Sequence, residues 1–88
     1  MIKIKYHHFC SDAKEYWGTD CRIIVDNLEL VNGLAILNPK DQFSRRTGRA
    51  VAFYKALKQI ENKNLRKRVC ELVDPLFLKT GRELVKNV

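Results

Sequence analysis

The sequence predicts an α+β fold in which a three-stranded antiparallel sheet is followed by two or three helices packed on one face, as a two-layer sandwich. Between residues 2 and 36, apolar side chains alternate with polar ones, as in strands with one buried face. From about residue 42, apolar residues recur every three or four positions, as in amphipathic helices. We therefore expect one domain over 1–88, with the sheet in 1–38 and a basic helical region in 39–88.

The first strand is predicted over 2–9, where isoleucine and tyrosine at even positions alternate with lysine and histidine. The following segment, SDAKEYWG at 11–18, has Asp12 as a candidate helix N-cap and Gly18 as a stop signal. This segment predicts either a helix of about one to two turns or an ordered loop.

The second and third strands are predicted to form a hairpin. The sequence CRIIV at 21–25 is rich in β-branched residues, and Asp26 and Asn27 after it favour a tight two-residue turn. Leucine and isoleucine at positions 28, 30, 34 and 36 share one phase, which predicts one long third strand with a bulge at Gly33. A second hairpin at Asn32 and Gly33, which would give a four-stranded meander, is the alternative.

A long helix is predicted over about 42–60, after Pro39 ends the sheet. At about 100° per residue, six of its apolar side chains fall within one arc of about 120°. The six are Phe43, Ala50, Phe53, Tyr54, Leu57 and Ile60. We expect this arc to cover the sheet above Ile4, Leu34 and Ile36.

Two shorter helices are predicted at 64–73 and 75–86. Asn62 and Asn64 mark a break and a new cap, and an aspartate before Pro75 suits the start of another helix. One helix kinked at Pro75 is the alternative.

The net charge of +7 is unevenly distributed along the chain. Residues 1–30 carry −1, whereas residues 31–88 carry +8. This asymmetry predicts an anionic partner, whether nucleic acid, nucleotide or an acidic protein surface. The chain has no apolar run of membrane-spanning length and no signal peptide at its start, so we expect a cytoplasmic protein that does not bind membranes.

Four cations surround the predicted start of the long helix: Lys40, Arg45, Arg46 and Arg49. A helix N-terminus carries about half a positive elementary charge, so each cation there costs about 0.3–1 kcal/mol. Guanidinium groups bind phosphate and carboxylate in a bidentate fashion, which predicts an anion site, with Arg46 inside the apolar arc. The alternative is that Asp20, Asp26 or Glu29 neutralises these arginines within the chain.

Three further groups are candidate binding residues. Arg68, Lys79, Arg82 and Lys86 would lie on one side of the second helical region, where they form either an extension of the anion site or an ordinary solvated face. Tyr16 and Trp17 are candidate aromatic contacts for a base or a partner protein. The small-residue stripe of Gly48, Ala52 and Ala56 predicts close packing, either within the chain or with a second copy of it.

The sequence offers no metal site, cofactor site or catalytic set. Three cysteines at unrelated spacings suit reduced thiols better than a disulfide framework. The chain lacks paired zinc-ligand spacings and a glycine-rich phosphate loop, and its nearest nucleophile pair is Cys10 with His8. We therefore expect a protein without enzymatic activity, metal or cofactor.

The stretch NPKDQFSRRTGRAVAFYKALK, residues 38–58, resembles a segment of short bacteriophage and prophage proteins. In those proteins a strand ending in Pro-Lys-Asp leads into a helix with Phe-Ser and Gly-Arg. The resemblance covers about a quarter of the chain. It implies a small accessory protein that acts in the cytosol of a bacterial host, commonly as an inhibitor of a defence system such as CRISPR.

Two functions follow from these observations. In the first, the chain inhibits a host defence protein or ribonucleoprotein by binding its anionic surface. In the second, it binds RNA, DNA or a nucleotide directly and has no protein target. Inhibitors that imitate DNA are acidic, and this chain is the reverse.

Overall fold

A computed structural model describes residues 1–36 and 45–86 of the chain. Three strands precede three helices: β1 (Ile2–Cys10), β2 (Tyr16–Val25), β3 (Leu28–Ile36), α1 (Arg45–Leu57), α2 (Lys63–Cys70) and α3 (Pro75–Lys86). The strands form one antiparallel sheet in the order β1-β2-β3, which confirms the predicted α+β class. No helix within the described residues has the length and apolar character needed to cross a bilayer.

The β1–β2 hairpin is longer than the sequence predicts, because β2 begins at Tyr16 and not at residue 21. The backbone N–H of Ser11 donates to the carbonyl oxygen of Glu15 at 2.8 Å, so 11–15 is a hairpin loop and the short-helix prediction is wrong. Gly18 is not a stop signal, since it lies within β2. Pairing with the full length of β1 outweighs the local helix-capping signals here.

The β2–β3 turn is confirmed at Asp26 and Asn27, which both have a positive φ, 50° and 69°. The single long third strand is also confirmed, and the second hairpin is wrong. The bulge lies at Leu30, because Ile23 pairs with Val31 while the next residue of β2 pairs with position 29. The predicted bulge at position 33 is therefore wrong.

The face of β3 that meets the helices is the opposite of the predicted one. Val31, Gly33 and Ala35 lie on the inner face, whereas Leu34 and Ile36 are 40% and 61% exposed on the outer face. The small inner residues allow α1 to approach the strand closely. Because α1 packs so closely on this strand, large side chains do not fit on its inner face. The larger apolar residues therefore lie on the outer face, although their pattern in the sequence resembles that of a buried face.

Helix α1 lies between the sheet and α3. Its stripe of Gly48, Ala52 and Ala56 is buried, and Ala52 and Ala56 contact β3. The other side of the helix meets α3, where the rings of Phe53 and Phe77 have centroids 5.8 Å apart. The predicted apolar arc therefore packs partly on α3, and its expected position wholly over the sheet is wrong.

The described part of α1 ends at Leu57, three residues before the predicted end. Beyond it the helical hydrogen-bonding pattern changes to that of a tighter turn, since the N–H of Ile60 donates to the carbonyl oxygen of Leu57, three residues earlier, at 3.1 Å. Ile60 is nevertheless buried, as its place in the apolar arc predicts. The predicted start of this helix near residue 42, with Phe43, lies outside the described residues.

The two C-terminal helices are separate, as predicted, and one kinked helix is wrong. The Oδ1 of Asn62 accepts from the N–H of Leu65 at 3.1 Å and caps α2. The Oδ1 of Asp74 accepts from the N–H of Leu76 at 2.8 Å at the start of α3. The helices reach the inner face of β1 through Phe77, whose ring meets the ring of Tyr6 edge-on at 6.5 Å.

Candidate anion-binding site

Three of the four predicted cations lie on the first turns of α1. Arg45 and Arg46 are exposed and Arg49 is half-buried. The first turn contains no acidic residue. Lys40 lies outside the described residues, so the site is built here from the three arginines.

The carboxylates that could neutralise these arginines bind elsewhere. Asp20 accepts from the Nε of Arg22 at 2.9 Å and from the side-chain amide of Asn32. Glu29 lies 3.4 Å from the same Arg22 nitrogen, and Asp26 binds the N-terminal amino group at 2.6 Å. Within 1–36 and 45–86, no carboxylate pairs with an arginine of α1, so the alternative of pairing with Asp20, Asp26 or Glu29 is wrong.

Arg46 differs from its predicted position. The helical phase placed it inside the buried arc, but its side chain is exposed. It borders a small cavity of about 60 Å³ between α1 and α3, together with Thr47, Ala50, Phe77 and Thr80. The arginine reaches solvent beside this cavity and so avoids the desolvation expected for a residue inside the arc.

The arginines lie at the end of the sheet where β1 ends and β2 begins. Burial, followed by the charges of Arg49 and Arg45, lowers the pKa of His8 below its ordinary value. The Nδ1 of His8 is 2.9 Å from the Oγ1 of Thr19, and this hydroxyl also bonds to the hydroxyl of Tyr16. The lowered pKa favours the neutral form of His8 beside the arginines, so its imidazole does not add a positive charge to theirs at neutral pH.

The glycine at the start of the stripe makes this arrangement compact. A Cβ on Gly48 would overlap the hydroxyl of Tyr16 and come within 2.7 Å of the Oγ1 of Thr19. The stripe of Gly48, Ala52 and Ala56 is thus closed against the sheet and is not a free surface for a second copy. The alternative prediction, that this stripe packs within the chain, is confirmed.

The two aromatic residues predicted as contacts, Tyr16 and Trp17, lie on opposite faces of the sheet. Tyr16 is half-buried, bonds to Thr19 and packs edge-on against the ring of His8 at 5.7 Å. Trp17 is 42% exposed and stacks on Phe9 with centroids 4.9 Å apart and an interplanar angle of 21°. Phe9 is not recognisable as a site residue in the sequence, because its contact with Trp17 depends on β2 beginning at Tyr16 and not at residue 21.

The second basic group is divided between two helices. Arg68 lies on α2 and borders a hollow with Met1, Ile2, Glu71 and Leu72. Lys79 and Arg82 lie on α3 and border a different hollow with Pro75, Leu78 and Glu83. The side chain of Lys86 lies outside the described residues. Because α2 and α3 are separate helices, the helical phase does not continue across residue 75, and the grouping of Arg68 with Lys79 and Arg82 stays a prediction.

The thiols are dispersed through the fold. Cys10 is exposed, Cys21 is fully buried and Cys70 is half-buried. Burial raises the pKa of Cys21 to about 12 and also raises that of Cys70. Among the residues with described positions, no three histidine, cysteine or acidic side chains cluster as metal ligands.

The arginines on the helix side and the rings of Phe9 and Trp17 on the outer side thus lie at the same end of the sheet, where the available chemistry is the binding of an anion or a base. Comparisons of the chain with protein-family models, curated proteins and solved structures give no match. The functional conclusion therefore depends on these residues.

Proposed function

We propose that this chain is a small non-enzymatic accessory protein of the bacteriophage type, which inhibits a host defence system by binding an anionic partner through Arg45, Arg46 and Arg49. One observation carries the proposal: these arginines have no carboxylate partner among the residues described. Each cation at a helix start costs about 0.3–1 kcal/mol, which an external anion would offset.

The partner's chemistry follows from the side chains. Guanidinium groups bind the oxygens of phosphate or carboxylate in pairs. A net charge of +7 favours approach to RNA within a ribonucleoprotein, such as a CRISPR-like effector, or to an acidic protein surface. The resemblance of residues 38–58 to bacteriophage proteins supports the role against a host defence system.

The proposal is tested by capture from a bacterium that carries such a ribonucleoprotein. Tagged chain is compared with R45Q/R46Q/R49Q and with K55Q/K63Q/K67Q, a control that removes three exposed charges elsewhere. We expect the wild type and the control to retain the ribonucleoprotein and the arginine variant to lose it. Equal recovery with the arginine variant would show that the site is elsewhere.

Direct binding of nucleic acid or a nucleotide is the second candidate, and exposed Trp17, stacked on half-buried Phe9, favours it. Nuclease treatment separates the two functions. A partner protein that stays bound after nuclease supports the inhibitor, whereas recovery of nucleic acid alone, lost after nuclease, supports direct binding.

A further inference from the structure

We infer that the outer face of the sheet around Phe9 and Trp17 binds single-stranded nucleic acid by stacking its bases, while the arginines of α1 hold the phosphates at the same end of the sheet. The inference deepens the proposed function and rests on it, because it takes the anionic partner to present a single strand. It assigns a ligand class to a face that the helices leave uncovered.

The aromatic platform consists of exposed Trp17 and half-buried Phe9. Phe9 and Trp17 stack with an interplanar angle of 21°, and Trp17 is 42% exposed. Phe9, Gly18 and Ile36 form one row across the three strands. The central residue of this row is a glycine, and the ring of Phe9 lies 3.6 Å from the position that a Cβ on Gly18 would occupy, so the aromatic pair extends over the middle strand. A base can therefore stack on the free side of Trp17.

A row of basic residues leads along β1 to the platform. Its outer positions before Phe9 are Lys3, Lys5 and His7, all exposed. Successive residues on one face of a strand are about 6.6–6.8 Å apart. Neither lysine forms an ion pair within the parts of the chain the structure describes. Phosphates of an extended strand can thus run along β1.

The hollow beside this row has room for a base or a sugar. Its volume is about 380 Å³, and its lining includes Lys5, His7, Phe9, Asp20 and Arg22. Asp20 as a whole residue is 5% exposed, and its carboxylate accepts hydrogen bonds from Arg22 and an asparagine amide. Its negative charge is therefore screened from an approaching phosphate.

The arginines and the platform lie at one end of the sheet because of strand alternation. His8 and Tyr16 face α1, and their chain neighbours Phe9 and Trp17 face outward. Gly48, the neighbour of Arg49, packs against the hydroxyl of Tyr16, so the first turns of α1 lie at this end of the sheet. A strand that passes around this end from the outer face to the helix side would contact both the rings and the guanidinium groups.

Charge favours a nucleic acid over a second copy of the chain on this face. Two copies would bury the apolar side chains of Leu34 and Ile36, but each copy carries +7 and the face has Lys3 and Lys5 at its other edge. Like charges brought together oppose association, whereas a phosphate backbone is attracted by them. Aromatic stacking and positive charge together fit a single strand.

Trp17 is the only tryptophan and therefore reports directly on stacking. The protein is titrated with a 12-mer of deoxythymidine and with an abasic 12-mer of equal charge. We expect the thymidine strand to quench Trp17 fluorescence and to bind at least about 10-fold more tightly than the abasic strand, since only the thymidine strand has bases that can stack on the aromatic rings. A duplex of equal length should bind more weakly.

Variants separate the platform from the arginines, with binding measured by anisotropy of a labelled strand. F9L/W17L should lose the preference for the thymidine strand and bind the abasic strand unchanged, W17F should retain most of the preference, and L28A at the far end of β3 should behave as the wild type. R45Q/R46Q/R49Q should weaken the binding of both strands and flatten the dependence of affinity on salt by up to about three phosphate contacts.

Three results would overturn the inference. Equal binding of the thymidine and abasic strands, without quenching, would mean that the arginines alone hold the strand, and the proposed function would stand. No binding to either strand would remove nucleic acid as the ligand, while arginine-dependent capture of a protein partner would still support the inhibitor. A wild-type dimer that F9L/W17L converts to a monomer in light scattering, with strand binding unchanged, would make this face an interface between copies.

Discussion

Gly33 on β3 lies so close to α1 that a methyl group at its Cα would overlap the carbonyl oxygen of Ala52. The backbone N–H of Ala56 on the next turn is also in the way, at 2.5 Å. Both obstacles are backbone atoms, which cannot rotate aside as a side chain can. The glycine is therefore required by the close approach of helix and sheet, and its φ is not in the left-handed region.

Gly33→Ala should lower the free energy of unfolding by about 3 kcal/mol or more, because α1 must move away from β3 to admit the methyl group. For a domain of this size the melting temperature should fall by about 12 °C or more. Thermal unfolding followed by circular dichroism measures the change. Leu34→Ala, one residue away on the exposed face, is the control and should cost less than about 1 kcal/mol. Equal melting of Gly33→Ala and wild type would contradict the packing of α1 on β3.

Asp20→Ala should destabilise the sheet by about 1–3 kcal/mol, since the Nε of Arg22 and the amide of Asn32 both lose their acceptor. Urea unfolding measures this loss. Glu29→Ala is the control, because its exposed carboxylate lies 3.4 Å from Arg22 and should contribute less than about 1 kcal/mol.

His8 should make stability depend on pH. Its pKa is lowered in the folded protein by burial and by Arg49 and Arg45, so the unfolded chain takes up a proton more readily. The stability it contributes is complete above the unfolded pKa of about 6.5 and is lost as pH falls through the folded pKa. Urea unfolding at intervals of about one-half pH unit between about pH 7.5 and 5 should show this loss in the free energy of unfolding.

His8→Gln should remove part of that pH dependence, which identifies the group. The triple variant R45Q/R46Q/R49Q should also raise the pKa of His8 toward its ordinary value in an NMR titration, because two of the lowering charges are gone. An unchanged His8 titration in the arginine variant would mean that Arg45 and Arg49 lie elsewhere.

The three thiols should react at different rates. Cys10 is exposed, while Cys21 is fully buried with a pKa raised to about 12. At pH 8 a colorimetric disulfide reagent should modify one thiol rapidly, and all three should react in denaturant. Cys10→Ser should abolish the rapid phase. A rapid phase that persists in this variant would contradict the burial of the other thiols.

Much of the fold could be predicted because local signals and tertiary packing agree. The turn at Asp26 and Asn27 requires a left-handed backbone conformation at both positions, and aspartate and asparagine tolerate that conformation. The start of α3 at Pro75 combines an aspartate cap with a proline that lacks an N–H to satisfy. These features depend on neighbouring residues alone.

The prediction failed where the deciding partner is distant in sequence. Leu34 and Ile36 look like core residues, but α1 selects Gly33 and Ala35 on the other face because its backbone needs the space. Likewise, 16–20 looks like a loop until it pairs with the end of β1. Periodicity identifies two faces of a strand without saying which one a helix will cover.

The candidate site was predictable in composition but not in environment. The clustered arginines are visible in the sequence, whereas the partners of Asp20 and Glu29 depend on strand register. Register also brings Phe9 beside Trp17, a contact between residues on two strands. The clustered charges therefore identify the arginines from the sequence, whereas the Phe9–Trp17 contact depends on the strand register of the folded sheet.

If the negative charge opposite Arg45, Arg46 and Arg49 comes from outside the chain, R45Q/R46Q/R49Q should fold as stably as the wild type, and its melting temperature measures this. Because no described carboxylate pairs with these arginines and each opposes the helix dipole by about 0.3–1 kcal/mol, we expect a melting temperature equal to or slightly above that of the wild type. A fall of about 8 °C or more would show that the arginines are bound within the fold and that the partner is not external.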